Sequence, residues 1–196
     1  KDTGIKLTGE AVRNLTFMFL EMWNAMSNRP LEDTNSFFPE ITYAAKEKCY
    51  IQPYADSPLD DELVGENVYM NVVKKKKKYV YFTTPYLIIS DEMERELTMA
   101  VKRGVDVRII TPGIPDKKAV YEVTRSNYSD LVKAGVRIYE YTPGFIHAKE
   151  CICDDELAVI GTINLDYRSL YLHFENGVLL YHCSAVNDMR QDFEET

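Results

Sequence analysis

The sequence predicts an α/β fold: a mixed, largely parallel central sheet with helices on both faces. Strand-like and helix-like segments alternate along most of the chain, and Gly104 and Gly135 stop two of the helices just before a strand. The 196 residues, 45% of them hydrophobic, suffice for one medium domain with a buried core. No apolar run reaches the roughly 18 residues of a membrane-spanning helix.

The first predicted element is an amphipathic helix from Glu10 to Met26, because its apolar residues recur at intervals of three and four. Periodicity is lost from Ser27 to Lys48, a stretch that contains prolines and predicts a long loop or linker. We therefore expect a domain boundary near Glu47 and a second unit that begins at Tyr50.

The second unit alternates helices and strands, a pattern that favours parallel βαβ connections. Three helices are predicted in it: one that includes Leu63 to Val72, one from Asp91 to Arg103 and one from about Asp116 to Lys133. Its predicted strands are Tyr79–Thr83, Val105–Ile110, Val136–Tyr141, Ile146–Cys153, Ala158–Gly161 and Val178–Tyr181. The polar residues Asp154-Asp155-Glu156 predict a turn that brings the strands on either side of it together.

Five consecutive lysines, Lys74 to Lys78, close the first helix of this unit. Cations complement the dipole at a helix C-terminus, so we interpret the run as a solvated cap. Contact with anionic lipid head groups is the alternative, because such lipids attract polybasic segments. The net charge of -8 argues against non-specific nucleic-acid binding, which draws its affinity from cations that neutralise phosphates.

The four cysteines form no metal-binding pattern with histidine; they are Cys49, Cys151, Cys153 and Cys183. Cys151 and Cys153 lie two residues apart in a predicted strand, so both point to one face as small hydrophobic side chains. We expect unpaired cysteines, no metal site and, by default, a reducing, cytoplasmic setting.

One constellation of residues indicates chemistry: His147-Ala148-Lys149, then Asp154, then Gly161-Thr162-Ile163-Asn164. On an extended strand His147 and Lys149 point the same way, and they offer an imidazole and an ammonium to one pocket. Across the turn Thr162 and Asn164 can add a hydroxyl and an amide that bind phosphate oxygens. Such groups suit the attack of a histidine on a phosphodiester. The cation and the neutral donors would hold the developing charge, with no metal required.

The spacing His147-x-Lys149-x4-Asp154-x6-Gly161-Thr162 resembles the signature of the phospholipase D superfamily. Flanking segments resemble bacterial cardiolipin synthases, among them Thr84-Pro85-Tyr86, Gly104–Val107, Thr111–Gly113, Gly161–Ser169 and Phe174-Glu175. The resemblance covers nearly the whole chain. It implies a phospholipase D-like α/β/α sandwich.

The resemblance also implies an activity: transfer of a phosphatidyl group from one phosphatidylglycerol to a second, with release of glycerol and without a cofactor. In that family two HxK motifs, one in each half of the chain, build one site. One histidine becomes a covalent phosphohistidine, and the other protonates the leaving alcohol and deprotonates the incoming one.

Carried onto this sequence, the resemblance assigns roles to six residues. His147 is one of the two histidines and Lys149 binds the phosphoryl oxygens, while Thr162 and Asn164 contribute further donors. Glu175 is expected to orient His147 through its far ring nitrogen. Asp154 belongs to the signature, but we expect it to serve a turn or hydrogen bonds rather than proton transfer.

No second HxK motif is present, since neither His173 nor His182 has a lysine two residues on. Residues 1–46 resemble the segment after the first motif in these synthases. We therefore expect them to be the remnant of a first half plus a linker. Residues 47–196 would then form a second phospholipase D-like domain, truncated at its C-terminus.

The expected partners are the half that carries the first motif, phosphatidylglycerol and other anionic phospholipids, but no nucleic acid. We expect the full-length enzyme at the cytoplasmic face of the bacterial cell membrane, and the isolated half to be soluble and inactive. Two alternatives stay open. A homodimeric single-motif phosphodiesterase or nuclease would restore two motifs by self-association. A non-catalytic module would bind anionic lipids through the lysine run and an anion pocket.

Overall fold

A seven-stranded sheet forms the centre of the chain, which a computed structural model describes over residues 1–196. The strands are β1 (Tyr50–Asp56), β2 (Tyr79–Thr83), β3 (Leu87–Ile88), β4 (Asp106–Pro112), β5 (Arg137–Tyr141), β6 (Glu150–Cys153), β7 (Leu157–Gly161), β8 (Leu165–Asp166) and β9 (Glu175–Tyr181). Seven of them follow the order β1-β9-β7-β6-β2-β4-β5, while β3 and β8 form a separate parallel pair. Strands β2, β4 and β5 run parallel, and the other neighbours in the large sheet pair antiparallel. The predicted α/β class with a mixed sheet is confirmed.

Seven α-helices flank or precede the strands, most of them where the apolar periodicity predicts. They are α1 (Ala11–Met26), α2 (Val64–Lys75), α3 (Asp91–Lys102), α4 (Lys118–Ser126), α5 (Tyr128–Ala134), α6 (Tyr167–Tyr171) and α7 (Ser184–Glu195). Gly104 and Gly135 follow the ends of α3 and α5 with φ angles of 88° and 103°. Glycine adopts this left-handed backbone without strain, so both helices stop where the sequence predicts.

The prediction of a single helix from Asp116 to Lys133 is wrong, because the chain breaks into α4 and α5 at Asn127. The Ser126 hydroxyl and the Asn127 side-chain amide both donate to the carbonyl of Val123, at 2.6 and 2.9 Å. Local side-chain bonds of this kind compete with the backbone ladder of a helix. The helix therefore ends and a new one begins.

Helices cover both faces of the large sheet. On one face α2, α3 and α5 bury side chains such as Val73, Leu97 and Leu131 against Phe82, Ile109 and Val159. On the other face α7 buries Val186, Met189 and Phe193 against Tyr81, Ile152 and Leu180, and Ile5 and Leu7 of the N-terminal segment join this cluster. Cys151 and Cys153 point together into the first cluster with their Sγ atoms 3.7 Å apart, as predicted.

The HxK segment and the lysine run lie at opposite strand ends of the large sheet. Strand β6 begins beside the carboxyl end of β2, where Glu150 pairs with Thr83. The HxK segment precedes β6 and therefore lies at the carboxyl ends of β2, β4 and β5. The lysine run lies at the amino ends of these strands, where α2 ends at Lys75 and the buried Lys76 pairs with Glu156 at 2.6 Å. The run thus closes a helix, far from the candidate chemistry. No helix combines the length and the hydropathy needed to cross a bilayer.

Candidate phosphodiester site

The HxK segment runs in extended form into β6, although the ladder itself begins only at Glu150. Its backbone bonds partly to the N-terminal residue instead, since the His147 amide donates to the Lys1 carbonyl at 2.8 Å. Ile146, Ala148 and Glu150 are buried, whereas the His147 side chain is 50% exposed. The alternation places His147 and Lys149 on one side of the segment.

Lys149 sends its ammonium along the segment to the carbonyl oxygen of His147. Burial lowers the pKa of Lys149 from its ordinary value, and the carboxylates of Asp2, Glu175 and Asp166 oppose that shift. The ammonium therefore lies within electrostatic reach of three carboxylates and against the backbone of His147. An incoming phosphodiester would find one cation held beside one histidine.

A polar network lies within electrostatic reach of Lys149, since Glu175 and Asp166 both act to raise the pKa of its ammonium. The Asn164 amide donates to Ser169 Oγ at 3.0 Å, and Ser169 Oγ donates to Glu175 Oε1 at 2.6 Å. Asp166 caps α6 by accepting the Ser169 amide at 2.7 Å. Asn164 Oδ1 is buried without a partner. The network fixes Asn164, and one of its polar atoms stays unsatisfied in the folded chain.

Glu175 does not make the contact with His147 that the sequence predicts. Its carboxylate accepts from Ser169, and its distance to the His173 ring nitrogen is 3.9 Å. His173 itself accepts from the Arg168 side chain at 2.8 Å. Short local contacts in the α6–β9 connection thus hold Glu175, which orients Ser169 and Asn164 instead of the imidazole.

The carboxylate that contacts His147 is Asp2, a residue that the sequence reasoning missed. Asp2 Oδ2 lies 3.2 Å from His147 Nδ1. Burial acts to raise the pKa of Asp2, but the hydrogen bonds with His147 and with the Thr3 amide outweigh it, and the pKa falls below its ordinary value. A carboxylate at Nδ1 fixes the orientation and tautomer of an imidazole and leaves Nε2 free to react.

A signal for Asp2 exists in the sequence as an internal repeat. Residues 2–7 and 175–180 each begin with an acidic residue, followed at the same spacings by a glycine, an aliphatic residue and a leucine. Asp2 and Glu175 are equivalent positions of this repeat. Glu175, which the sequence predicts as the partner of His147, and Asp2, which contacts His147, thus occupy the same position in the two copies.

Asp154 lies in the turn at the far end of β6, separated from His147 by the length of the strand. Its two carboxylate oxygens accept the amides of Lys77, Lys78 and Tyr79, each at 2.9 Å. Burial acts to raise its pKa, but these three bonds keep the pKa below the ordinary value. Asp154 therefore holds the end of the lysine run against the β6–β7 turn. This is the hydrogen-bonding role expected of Asp154, which lies far from His147.

Gly161 and Thr162 join the end of β7 to the start of β9. Thr162 Oγ1 accepts the Asn176 amide at 3.0 Å and donates to the Asn176 carbonyl at 3.3 Å, so the predicted phosphate donor is engaged with the start of β9. A Cβ at Gly161 would lie 2.2 Å from the Asn176 carbonyl oxygen. Only glycine allows this approach of β7 to β9. The glycine thus permits the contact between the strands, and the threonine hydroxyl bonds across it.

Glu150, next to Lys149 but on the buried side, carries an unusual carboxyl group. It accepts from Thr83 Oγ1 at 3.0 Å, while its other oxygen is buried without a partner. Burial raises the pKa of Glu150 to about 7, helped by Asp192 and opposed by the bond from Thr83. The folded chain therefore keeps this group largely protonated at acidic pH.

We expect the Glu150→Gln variant to be more stable than the parent above pH 7. An acid whose folded pKa exceeds its unfolded value takes up a proton on folding, so stability falls as pH rises from about 4.5 to about 7. Glutamine removes that dependence, on the order of 3 kcal/mol at most, and can still accept from Thr83. Urea unfolding between pH 5 and pH 8 measures the difference, with the exposed Glu21→Gln variant as control. Parallel pH curves for the parent and Glu150→Gln would contradict this reading.

A cavity of about 850 Å³ lies away from these residues. The N-terminal segment, residues that precede β1 and the β9–α7 turn form its walls, among them Ile5, Tyr43, Cys49 and Ala185. None of the site residues lines it. The cavity is therefore separate from the HxK segment.

Comparison with protein families gives one match. The family model described as cardiolipin synthase, phospholipase D-like domain, matches residues 69–196. That range includes the HxK segment, Asn164 and Glu175, and it leaves out α1 and the N-terminal segment.

Several curated proteins are similar over nearly the whole chain. A Streptococcus mutans protein is 50% identical over 199 residues, which are 100% of this chain and 42% of its own length. The cardiolipin synthase of Halalkalibacterium halodurans is 35% identical over 193 residues, 98% of this chain and 38% of its own. Cardiolipin synthase 1 of Staphylococcus aureus is 37% identical over 195 residues, 99% of this chain and 39% of its own. The chain spans about two-fifths of the length of these relatives.

Solved structures share the fold at low identity. Nuc from Salmonella typhimurium, a phospholipase D family member, superimposes with a TM-score of 0.64 and 16% identity, over 76% of this chain and 93% of its own. The phosphatidylserine synthase of Haemophilus influenzae gives a TM-score of 0.57 and 19% identity, over 74% of this chain and 37% of its own. Both likenesses confirm the predicted phospholipase D-like fold. At these identities they show the fold alone.

Proposed function

The chain belongs to the cardiolipin synthase family of phospholipase D-like domains, and from that membership we propose that it supplies one half of a phosphatidyltransferase site. The observation that supports the proposal most directly is the contact of His147 Nδ1 with Asp2, beside the ammonium of Lys149. One ring nitrogen is held by a carboxylate and the other is free. This is the arrangement of a histidine that attacks phosphorus or transfers a proton.

The proposed reaction has two steps through a phosphohistidine. In the first, one histidine attacks the phosphorus of a phosphatidylglycerol, the bond between phosphorus and the glycerol oxygen breaks, and the second histidine gives its proton to the leaving glycerol. In the second, that histidine takes a proton from a hydroxyl of another phosphatidylglycerol. The hydroxyl oxygen then attacks phosphorus, the phosphorus–nitrogen bond breaks, and cardiolipin leaves.

Each residue of the half-site has a part in this proposal. His147 is one of the two histidines, and Lys149 neutralises the charge that develops on the non-bridging phosphoryl oxygens. Asn164, fixed by Ser169 and Glu175, lies in the polar network beside them and would add a neutral contact. Asp2 is a positioning residue that acts through His147.

The second histidine has to come from outside residues 1–196, because the chain has one HxK motif. We infer that residues 1–196 are part of a longer polypeptide, as they match about two-fifths of their relatives. Residues 1–46 would be the end of its first half and residues 47–196 its second phospholipase D-like domain. Such a protein would act on anionic phospholipids at the cytoplasmic face of the bacterial cell membrane.

The proposal predicts that the full-length natural polypeptide forms cardiolipin and that residues 1–196 alone do not. Vesicles of phosphatidylglycerol serve as substrate, with glycerol release and cardiolipin as the two readouts. The isolated chain should show at least about 100-fold less activity, because one of the two histidines that the reaction needs is absent.

Two results would contradict the proposal and favour an alternative. Hydrolysis of a phosphodiester by the isolated chain, together with a dimeric mass in solution, would favour a homodimeric phosphodiesterase or nuclease. Tight vesicle binding by a full-length protein that forms no cardiolipin would favour the non-catalytic lipid-binding module.

A further inference from the structure

Helix α1 turns its apolar side away from the rest of the chain. Leu20 is its only buried residue, and the exposed large side chains on its outer side are Val12, Phe19, Met22, Trp23 and Met26, between 36% and 73% exposed. These five residues form the α1 apolar face. They fall within about 120° of the helix circumference, the width of a stripe that normally packs on a core.

The opposite side of α1 is the one that contacts this chain. The Arg13 guanidinium lies 5.5 Å from the centre of the Phe38 ring, and Asn24 accepts the Leu31 amide at 2.8 Å. Leu20 lies on this same side. The first turns of α1 also reach the sheet from the outer side, where Val12 and Leu15 line a small cavity together with residues of β7 and β9. From Phe19 to Met26 the α1 apolar face is left uncovered.

The internal repeat shows what such a face packs against. The repeat continues into the two helices, and its second copy has one residue more before the helix begins. In each copy an Ala-Val pair is followed at the same spacings by two large apolar residues. These are Leu15 and Phe19 in α1, and Met189 and Phe193 in α7. In α7 the residues Val186, Met189 and Phe193 are 0%, 7% and 4% exposed and cover a face of the large sheet. In α1 the equivalent Phe19 is 55% exposed. The same pattern of apolar side chains is therefore buried in α7 and exposed to solvent in α1.

We propose that the α1 apolar face docks onto the β-sheet of the phospholipase D-like half that carries the first HxK motif, as α7 docks onto the sheet of residues 47–196. The sheet of this chain cannot be the occupant, because α2, α3 and α5 cover one of its faces and α7 with the N-terminal segment covers the other. A second copy of the chain has no bare sheet for the same reason. Relatives of which this chain is only 38% to 42% have room for a second half.

A membrane surface fits the α1 apolar face less well. Helices that lie in a lipid interface carry many lysines and arginines on their polar side. Among the 16 residues of α1 the charged ones are Arg13 and Glu21, which cancel. The inference extends the proposed function to an interaction surface, and it depends on no catalytic step.

Two phenylalanines of α1 provide a matched test. Phe17 and Phe19 are each 55% exposed, but two helical positions separate them by about 200°, so only Phe19 lies on the α1 apolar face. In the full-length polypeptide we expect Phe19→Asp to lower the thermal unfolding midpoint by roughly 4 °C or more, because a charge would enter a packed interface. Phe17→Asp should lower it by less than about 1 °C. In residues 1–196 alone both variants should unfold close to the parent.

Three outcomes would overturn the proposal. One is an equal shift of the full-length protein by both variants, or none by either. Another is a dimer of the isolated chain that Phe19→Asp dissociates. The third is a blue shift of Trp23, the single tryptophan, when phosphatidylglycerol vesicles are added to residues 1–196. Since the main readout is unfolding, a failure to form cardiolipin would count against the proposed function and leave this result standing.

Discussion

The His147→Asn variant of the full-length polypeptide should lose cardiolipin formation by about 1,000-fold or more. Asparagine offers no nucleophile for phosphorus and no group that gives or takes a proton, so neither role open to His147 survives. The side chain is 50% exposed and makes one polar contact, with Asp2. We therefore expect the free energy of unfolding to change by no more than about 1 kcal/mol. Glycerol release and unfolding, measured on the same preparation, separate a chemical loss from a folding loss.

His182→Asn is the matched control for this variant. His182 follows the end of β9, on the side of the sheet where β6 ends and away from the HxK segment. Its φ of 55° is one that asparagine tolerates. The control should keep activity within about two-fold of the parent, in line with the small effects of surface substitutions. Activity of His147→Asn within about ten-fold of the parent would remove His147 from the proposed chemistry.

The second large effect is expected for Asp2→Asn, in spite of its position 145 residues from His147. Asparagine keeps the shape of the side chain but loses the charge that stabilises a protonated imidazole and fixes its tautomer. Equivalent losses in other histidine–carboxylate pairs amount to about 10⁴-fold in kcat. We expect a fall of roughly 10²-fold to 10⁴-fold in kcat with little change in KM, because Lys149 still binds the phosphoryl group.

Asp33→Asn is the control for Asp2→Asn. Asp33 accepts a nearby backbone amide, that of Asn35 at 2.9 Å, as Asp2 accepts that of Thr3 at 3.0 Å. It has no contact with the site and should leave kcat and KM unchanged. If Asp2→Asn raises KM and spares kcat, Asp2 serves binding rather than the orientation of His147.

The fold could be predicted where one periodicity dominates a segment, as in α1, α2 and α3. Prediction failed where side chains compete with the backbone, as at Asn127, and where a strand carries a residue that strands usually exclude. Strand β1 was not predicted as a strand and contains Pro53, which is tolerated because β1 lies at the edge of the sheet. Edge position is a property of the tertiary structure and is invisible in the segment itself.

The site could be predicted in its local part. His147 and Lys149 share a side because strands alternate, and Asp154 lies in the turn that its neighbours predict. The partners of these residues depend on long-range packing, which no local pattern contains. Thr162 is engaged by Asn176 on a neighbouring strand, and Asp2 reaches His147 only because the N-terminal segment runs beside the HxK segment. The internal repeat was the one sequence signal that could have pointed to Asp2.

The coupling between Asp2 and His147 tests the central claim most directly. If the carboxylate acts only through the imidazole, the double variant Asp2→Asn, His147→Asn should be no less active than His147→Asn alone, since residues that act as a unit are not additive. The measurement is the rate of cardiolipin formation by the full-length polypeptide, its two single variants and the double variant. Losses that multiply in the double variant would show that the two residues act independently, and the proposed half-site would be contradicted.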